Sequence, residues 1–200
     1  MTWIPAILIA LTFHEYAHGK VADLLGDHTP YHQGRLTLNP LPHIDWVGFL
    51  MLLLFKFGWA KPVQVNPMNF KNVGMKRGML LVSAAGPAMN FALAFVGMLL
   101  YKYVLLFSGQ EWAHITMNLL IPLIWINIFL AIFNLLPVPP LDGSKILAGL
   151  LPDAGTKLLY SLEQYGPLLL LLLIMTGVVG KIILPLAYSV FGLLEFILLG

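Results

Sequence analysis

The sequence predicts an all-α polytopic membrane protein of about five transmembrane helices, with one re-entrant or β-like membrane-associated segment. Three observations predict it. Of 200 residues, 59% are hydrophobic and 10% charged, and the mean hydropathy is +0.85, too apolar for a soluble globule. Apolar runs of about 20 residues, long enough as helices to cross a hydrocarbon core, recur along the chain. Polar connections rich in Gly and Pro separate them. A net charge of +2 leaves no footprint for nucleic acid. The lack of cysteine excludes disulfides, thiolate metal sites and a cysteine nucleophile. The N-terminus has no basic n-region, so no cleavable signal peptide is expected. One membrane-embedded domain over 1–200 is expected, with no internal repeat and no appended soluble domain.

The expected spans are 3–25, 78–106, 115–136, 157–176 and 181–199. Each is an apolar stretch bounded by charge, Gly or Pro. Between the first two lies a polar connection, 26–45, holding His28, His32 and His43. These read as surface histidines of a juxtamembrane loop, with Asp45 placed to fix His43. The run W-V-G-F-L-M-L-L-L-F at 46–55 is too short to span and meets Lys56, so 46–67 is expected to be re-entrant or interfacial. Within it, Val63 and Val65 alternate with Gln64, as on an extended edge. That edge could pair with a peptide or be an ordinary amphipathic connector, and spacing does not decide between them. In the second span, S-A-A-G-P-A-M-N at 83–90 offers small residues for close helix approach, a bend at Pro87 and a packing hydrogen bond at Asn90. The leucine run 168–173 reads as lipid-facing or packing surface.

The first span carries the chemistry. It contains H-E-Y-A-H, His14 to His18, an H-E-x-x-H pattern. Residues four apart share a helix face, so His14 and His18 can give their imidazoles to one metal. Glu15, about 100° round the helix, is placed to act as a base rather than a ligand. Zinc held by three protein ligands keeps a fourth position open for water and lowers that water's pKa to about 7. Ionisable residues inside an apolar span are costly and are usually functional. A third ligand must come from elsewhere. The third span ends in N-L-L-P-V-P-P-L-D-G, Asn134 to Gly143, where three prolines forbid regular helix and an extended backbone is expected. Asp142 is the one carboxylate there. It can cap the helix that follows or ligate the metal. Asp23 and Asp27 lie too close to the histidines in sequence to close a tetrahedron, which favours Asp142 as the ligand.

The distribution of Lys and Arg sets the expected orientation. Lys20, Arg35, Lys56, Lys61, Lys71, Lys76, Arg77, Lys145 and Lys157 fall on one side, nine of the eleven basic residues. That side is expected to be cytoplasmic, in a bacterial cytoplasmic membrane, with the N-terminus outside, the C-terminus inside and the active site open to the cytoplasm.

H-E-Y-A-H at 14–18 together with N-L-L-P-V-P-P-L-D-G at 134–143 resembles the site-2 protease family of intramembrane zinc metalloproteases. The segments G-W-A-K-P-V and S-A-A-G-P-A-M-N add to the likeness, which runs over most of the chain. The resemblance implies a metalloendopeptidase with one Zn2+ per chain, held by His14, His18 and Asp142, with Glu15 as general base and acid. It implies that Asn134 holds the substrate backbone or the oxyanion. Pro137 and Pro139 match its proline positions, and Gly58, Val63 and Val65 belong to its substrate-gripping edge. The implied substrate is a transmembrane protein or peptide in the lipid bilayer, cut in or beside a helix. The chain resembles a minimal form without PDZ or CBS domains. The alternatives are a metal-binding transporter or channel without proteolysis, and a non-proteolytic scaffold of protease ancestry.

Overall fold

A 31-residue helix, Met75–Leu105, runs through the centre of the fold, and the other long helices pack around it. The structure is a computed structural model that describes residues 3–55 and 58–200. In chain order its helices are α1 (Trp3–Leu24), α2 (Thr29–His32), α3 (Trp46–Phe55), α4 (Met75–Leu105), α5 (Glu111–Asn134), α6 (Asp142–Leu150), α7 (Asp153–Glu163), α8 (Gly166–Met175) and α9 (Val178–Leu198). Single 3-10 turns occur at Leu41–His43 and Pro67–Asn69. Among the described residues no strand ladder forms. One isolated antiparallel bridge joins Ile44 to Ala60.

Two kinds of packing hold the long helices. Where α4 meets α5 and α9, large apolar side chains interlock: Met98, Ile124, Ile128, Ile132 and Ile183 are buried with Ala94 and Ala187. Trp125 of α5 stacks on Phe191 of α9 with ring centroids 4.6 Å apart. α1 packs on α4, and many of the residues that the two helices bury are small: Ala6, Ala10 and Ala17 on α1, Ser83 and Gly86 on α4. Lipid tails provide no hydrophobic drive between helices, so close approach of small residues and buried hydrogen bonds bring such helices together. The outward surfaces of the long helices expose Leu99, Leu100, Ile115, Leu119, Leu184 and Leu186, as a lipid-facing belt would.

α4, α5 and α9 are long and apolar enough to cross a membrane. α1 has 22 residues but carries Glu15, Lys20 and Asp23. The expected span at 157–176 is not one straight helix: α7 and α8 meet at a 75° bend. In the expected re-entrant region, α3 leads to residues 58–66, which lie extended and outside regular structure. Lys56, expected to end that apolar run, falls outside the described residues. The proline-rich link 135–141 also differs from expectation. It is a series of turns, with Val138 N–H donating to Leu136 O and Leu141 N–H to Val138 O. Three prolines break the helix, but tight local carbonyl acceptors let it fold back rather than extend.

Candidate metal centre

α1 ends at Leu24, and Gly26, whose φ of +105° suits glycine, turns the chain away from the helix. His18 and His14 sit about two and about three turns before that end on the face against α4, and both are buried. Each imidazole is held by its Nδ1. His14 Nδ1 lies 2.6 Å from Asn90 Oδ1 and His18 Nδ1 lies 2.7 Å from Val82 O. The direction of these bonds is settled by their far ends. Leu123 O can only accept, so Asn127 Nδ2 donates to it at 2.8 Å. Asn127 Oδ1 then accepts from Asn90 Nδ2 at 2.7 Å, leaving Asn90 Oδ1 to accept from His14. The Val82 carbonyl likewise can only accept from His18. Each imidazole therefore donates from Nδ1, and in the neutral form that binds a metal it turns a bare Nε2 inward.

Asp142 meets them there. It opens α6, and its carboxylate does not cap that helix. Its Oδ2 lies 3.2 Å from His14 Nε2 and 3.2 Å from His18 Nε2, and the two Nε2 atoms are 3.0 Å apart. Asp142 Oδ2 is buried without a hydrogen-bond partner. Three lone-pair atoms at this spacing repel one another unless a cation lies among them. A tetrahedron with metal–ligand bonds of ~2.0–2.1 Å has edges of about 3.3 Å, close to these separations. Two nitrogens and one carboxylate oxygen suit zinc, and the donated Nδ1 protons supply the outer partners that orient metal-binding histidines. The positive N-terminal end of α6 further favours a carboxylate at Asp142.

Gly86 leaves room for this arrangement. A Cβ there would lie 2.6 Å from His14 Nε2 and closer still to His18 Nε2. No other residue fits at 86 without displacing the imidazoles.

Glu15 stands apart from the three ligands. It is half-buried, and its Oε2 accepts from Val63 N–H at 2.8 Å. Residues 60–66 lie across this end of α1, tied at several points. Lys61 N–H donates to His43 O at 3.0 Å, and Lys61 O accepts from Arg35 Nη2. Asn66 N–H donates to Asp27 Oδ2 at 2.7 Å. Val63 and Val65 are half-buried while Gln64 and Asn66 are exposed, the period-two pattern of an extended edge. Gly58 packs against Gly48 of α3, where neither position has space for a side chain.

The loop polar groups are structural here. Asp27 is fully buried and also accepts from Asn69 Nδ2 at 2.8 Å and from Thr29. Burial opposes its charge, but the donors from Thr29, Asn69 and Asn66 outweigh that and hold it below the usual carboxylate range. His43 is buried rather than a surface histidine. Its Nε2–H donates to Thr37 O at 2.9 Å, and burial pushes its pKa down, with Arg35 adding to the effect and Thr37 opposing it. Asp45 does not fix His43: its Oδ1 accepts Gly48 N–H at 2.9 Å, in the first turn of α3. His28 pairs with Asp23 at 2.6 Å.

Asn134 is not brought to the three ligands by any hydrogen bond. Its Nδ2 donates to Leu130 O, one turn back in α5, at 3.0 Å. Pro137 lies in the turns between α5 and α6, and the Pro139 carbonyl packs against Gly166 at the start of α8. The residues that motif reasoning did not assign are Asn127, Gly86 and Arg35. Asn127 had a signal, as the one amide within the apolar stretch 119–133. Gly86 had a signal only as one of the small residues of 83–90, and Arg35 had none, since its role depends on what packs over it.

The sequence profile of Peptidase family M50 matches residues 102–176. A Bacillus subtilis protein named "Putative zinc metalloprotease YwhC" is 38% identical over 185 residues, covering 91% of this chain and 84% of that one. Two proteins named "Putative zinc metalloprotease Rip2" are also similar. The one from Mycolicibacterium smegmatis is 29% identical, over 94% of this chain and 72% of its own. The one from Mycobacterium tuberculosis is 30% identical, over 95% of this chain and 73% of its own. No solved structure matches the chain. Nothing in these likenesses supports the transporter reading.

Proposed function

The chain belongs to peptidase family M50 as a membrane zinc metalloprotease, and from that premise we propose that it hydrolyses a peptide bond in or beside a transmembrane helix of another membrane protein. The observation that carries the proposal is the meeting of His14 Nε2, His18 Nε2 and Asp142 Oδ2, three possible ligand atoms at 3.0–3.2 Å from one another. These three residues would hold the zinc. When bound, zinc supplies a Lewis acid that acidifies water and polarises a carbonyl. Glu15 takes the proton from the attacking water and returns it to the leaving amine. The Val63 N–H on Oε2 orients that carboxylate and leaves its other oxygen for the proton. Asn134 is proposed to donate to the developing oxyanion once its amide turns from Leu130 O.

A helical substrate hides its carbonyls in its own hydrogen bonds, so it must unwind before it is cut. Lys61 and Val63 turn their N–H groups toward the protein. Gln64, one residue on from Val63, turns its N–H the other way, where an extended peptide can pair. Val63 and Val65 back that edge, while Pro137 and Pro139 shape the turn that delivers Asp142. The expected crossing elements are α1, α4, α5, the α7–α8 pair and α9, in a single domain with α3 and 58–66 re-entrant. Nine of eleven basic residues on one side support the reading that the N-terminus is outside, the C-terminus in the cytoplasm and the metal open to the cytoplasmic face of a bacterial membrane.

The test uses purified full-length protein in lipid nanodiscs with model transmembrane peptides. Cleavage is expected with zinc, is lost with a chelator and returns on adding zinc back. Glu15→Gln is expected to retain zinc and lose cleavage. Full activity in that variant would remove Glu15 from the mechanism.

A further inference from the structure

We propose that Arg35 is a positioning residue for Glu15, acting through the segment 60–63. Arg35 is 4% exposed, an unusual state for a guanidinium, which keeps its charge and must be compensated. Its Nη2 donates to Lys61 O and lies 3.4 Å from His43 Nδ1, while its Nε is buried without a partner. His43 offers a bare Nδ1 because its proton is on Nε2, bonded to Thr37 O. Arg35 is itself fixed by its backbone N–H, which donates to Pro30 O at 2.9 Å. The Glu15 carboxylate is near enough to favour the guanidinium charge against its burial.

The path from Arg35 to Glu15 is short. Arg35 Nη2 holds the Lys61 carbonyl, and Lys61 N–H holds the His43 carbonyl, so residue 61 is clamped on both backbone groups. Two residues on, Val63 N–H contacts Glu15 Oε2. In an extended chain residues 61 and 63 are one period apart, roughly 6.6 Å, with their N–H groups on the same side. Losing the clamp therefore lets the Val63 amide drift from Glu15 and frees the carboxylate to rotate. Arg35 thus holds the base without touching substrate. A purely structural staple would change stability alone.

The inference rests on Glu15 being the base, and the experiment separates the two. Zinc-loaded full-length Arg35→Met, Arg35→Lys and Glu15→Gln are compared with wild type on a model transmembrane peptide in nanodiscs. Zinc content, thermal stability, kcat, KM and amide exchange at Val63 are measured. Arg35→Met is expected to keep its zinc, to lose about 10- to 100-fold in kcat at saturating peptide, and to exchange faster at Val63. Arg35→Lys keeps one donor and the charge, so it should fall between. Wild-type kcat in zinc-loaded Arg35→Met, or lowered kcat with unaltered exchange at Val63, overturns the proposal. Should Arg35→Met not fold, Arg35→Lys decides alone: kcat and exchange moving together support positioning, and any other result overturns it. Activity in Glu15→Gln would instead sink the base assignment.

Discussion

Replacing Asn90 with alanine tests whether the buried amide relay sets the metal site. Asn90 Oδ1 accepts a hydrogen bond from His14 Nδ1–H at 2.6 Å, and Nδ2 donates to Asn127 Oδ1 at 2.7 Å and Ala10 O at 3.2 Å. Ala10 O lies within α1 and keeps its helical partner. Two buried groups, His14 Nδ1–H and Asn127 Oδ1, are left alone. Interhelical hydrogen bonds in membrane proteins average about 0.6 kcal/mol and reach about 1.7, so losing two should cost about 1–3 kcal/mol of stability. The larger effect is on zinc. Without its outer partner His14 can rotate or take the other tautomer, and such losses weaken metal binding by about 10- to 100-fold. That is roughly 1.4–2.8 kcal/mol of binding free energy. Zinc affinity is read by competition with a chromophoric chelator, and stability by thermal unfolding of the zinc-free protein. Asn90→Asp separates the two effects. Its carboxylate still accepts from His14 but cannot donate to Asn127, so zinc affinity should stay near wild type while stability falls. A folded Asn90→Ala protein with wild-type zinc affinity would show that Asn90 does not orient His14, and the tautomer argument would fail.

Three further outcomes are expected. Gly86→Ala puts a carbon within 2.6 Å of His14 Nε2, so zinc content and cleavage should both be lost while helix content is kept; full zinc content would refute the packing. Asp142→Asn replaces an anionic ligand with a neutral amide, so zinc affinity should fall at least about tenfold, measured by the same competition. Asp27→Asn removes a carboxylate whose folded pKa is depressed, so its contribution is present above the unfolded value of about 3.9 and is lost as pH falls through the folded one. The gap in Tm between wild type and Asp27→Asn should be steady at neutral pH and narrow below about pH 4; a gap that widens in acid contradicts the hydrogen-bond account.

What the sequence determined alone was whatever depends on residue spacing. His14 and His18 share a face because a helix turns 3.6 residues at a time, wherever that helix sits. The long apolar runs become α1, α4, α5 and α9 because length and hydrophobicity suffice to form such helices in lipid. Asp142 lay midway. Its residue type and the need for a third ligand pointed to it, but its rival role as a cap was dismissed only by a carboxylate that makes no cap hydrogen bond and lies against both imidazoles. Tertiary structure decided the rest. It bent the expected fourth span by 75°, folded the proline link into turns and buried His43 and Asp27 in what reads as an ordinary surface loop. It also joined Asn127, Asn90 and His14 across three helices and laid residue 63 on Glu15, 48 positions away. Helix periodicity is local and repeats in the residue string. A hydrogen bond between distant segments depends on how close two backbones come; the small residues at 83–90 mark a place of close approach, but not which helix or which side chains meet it.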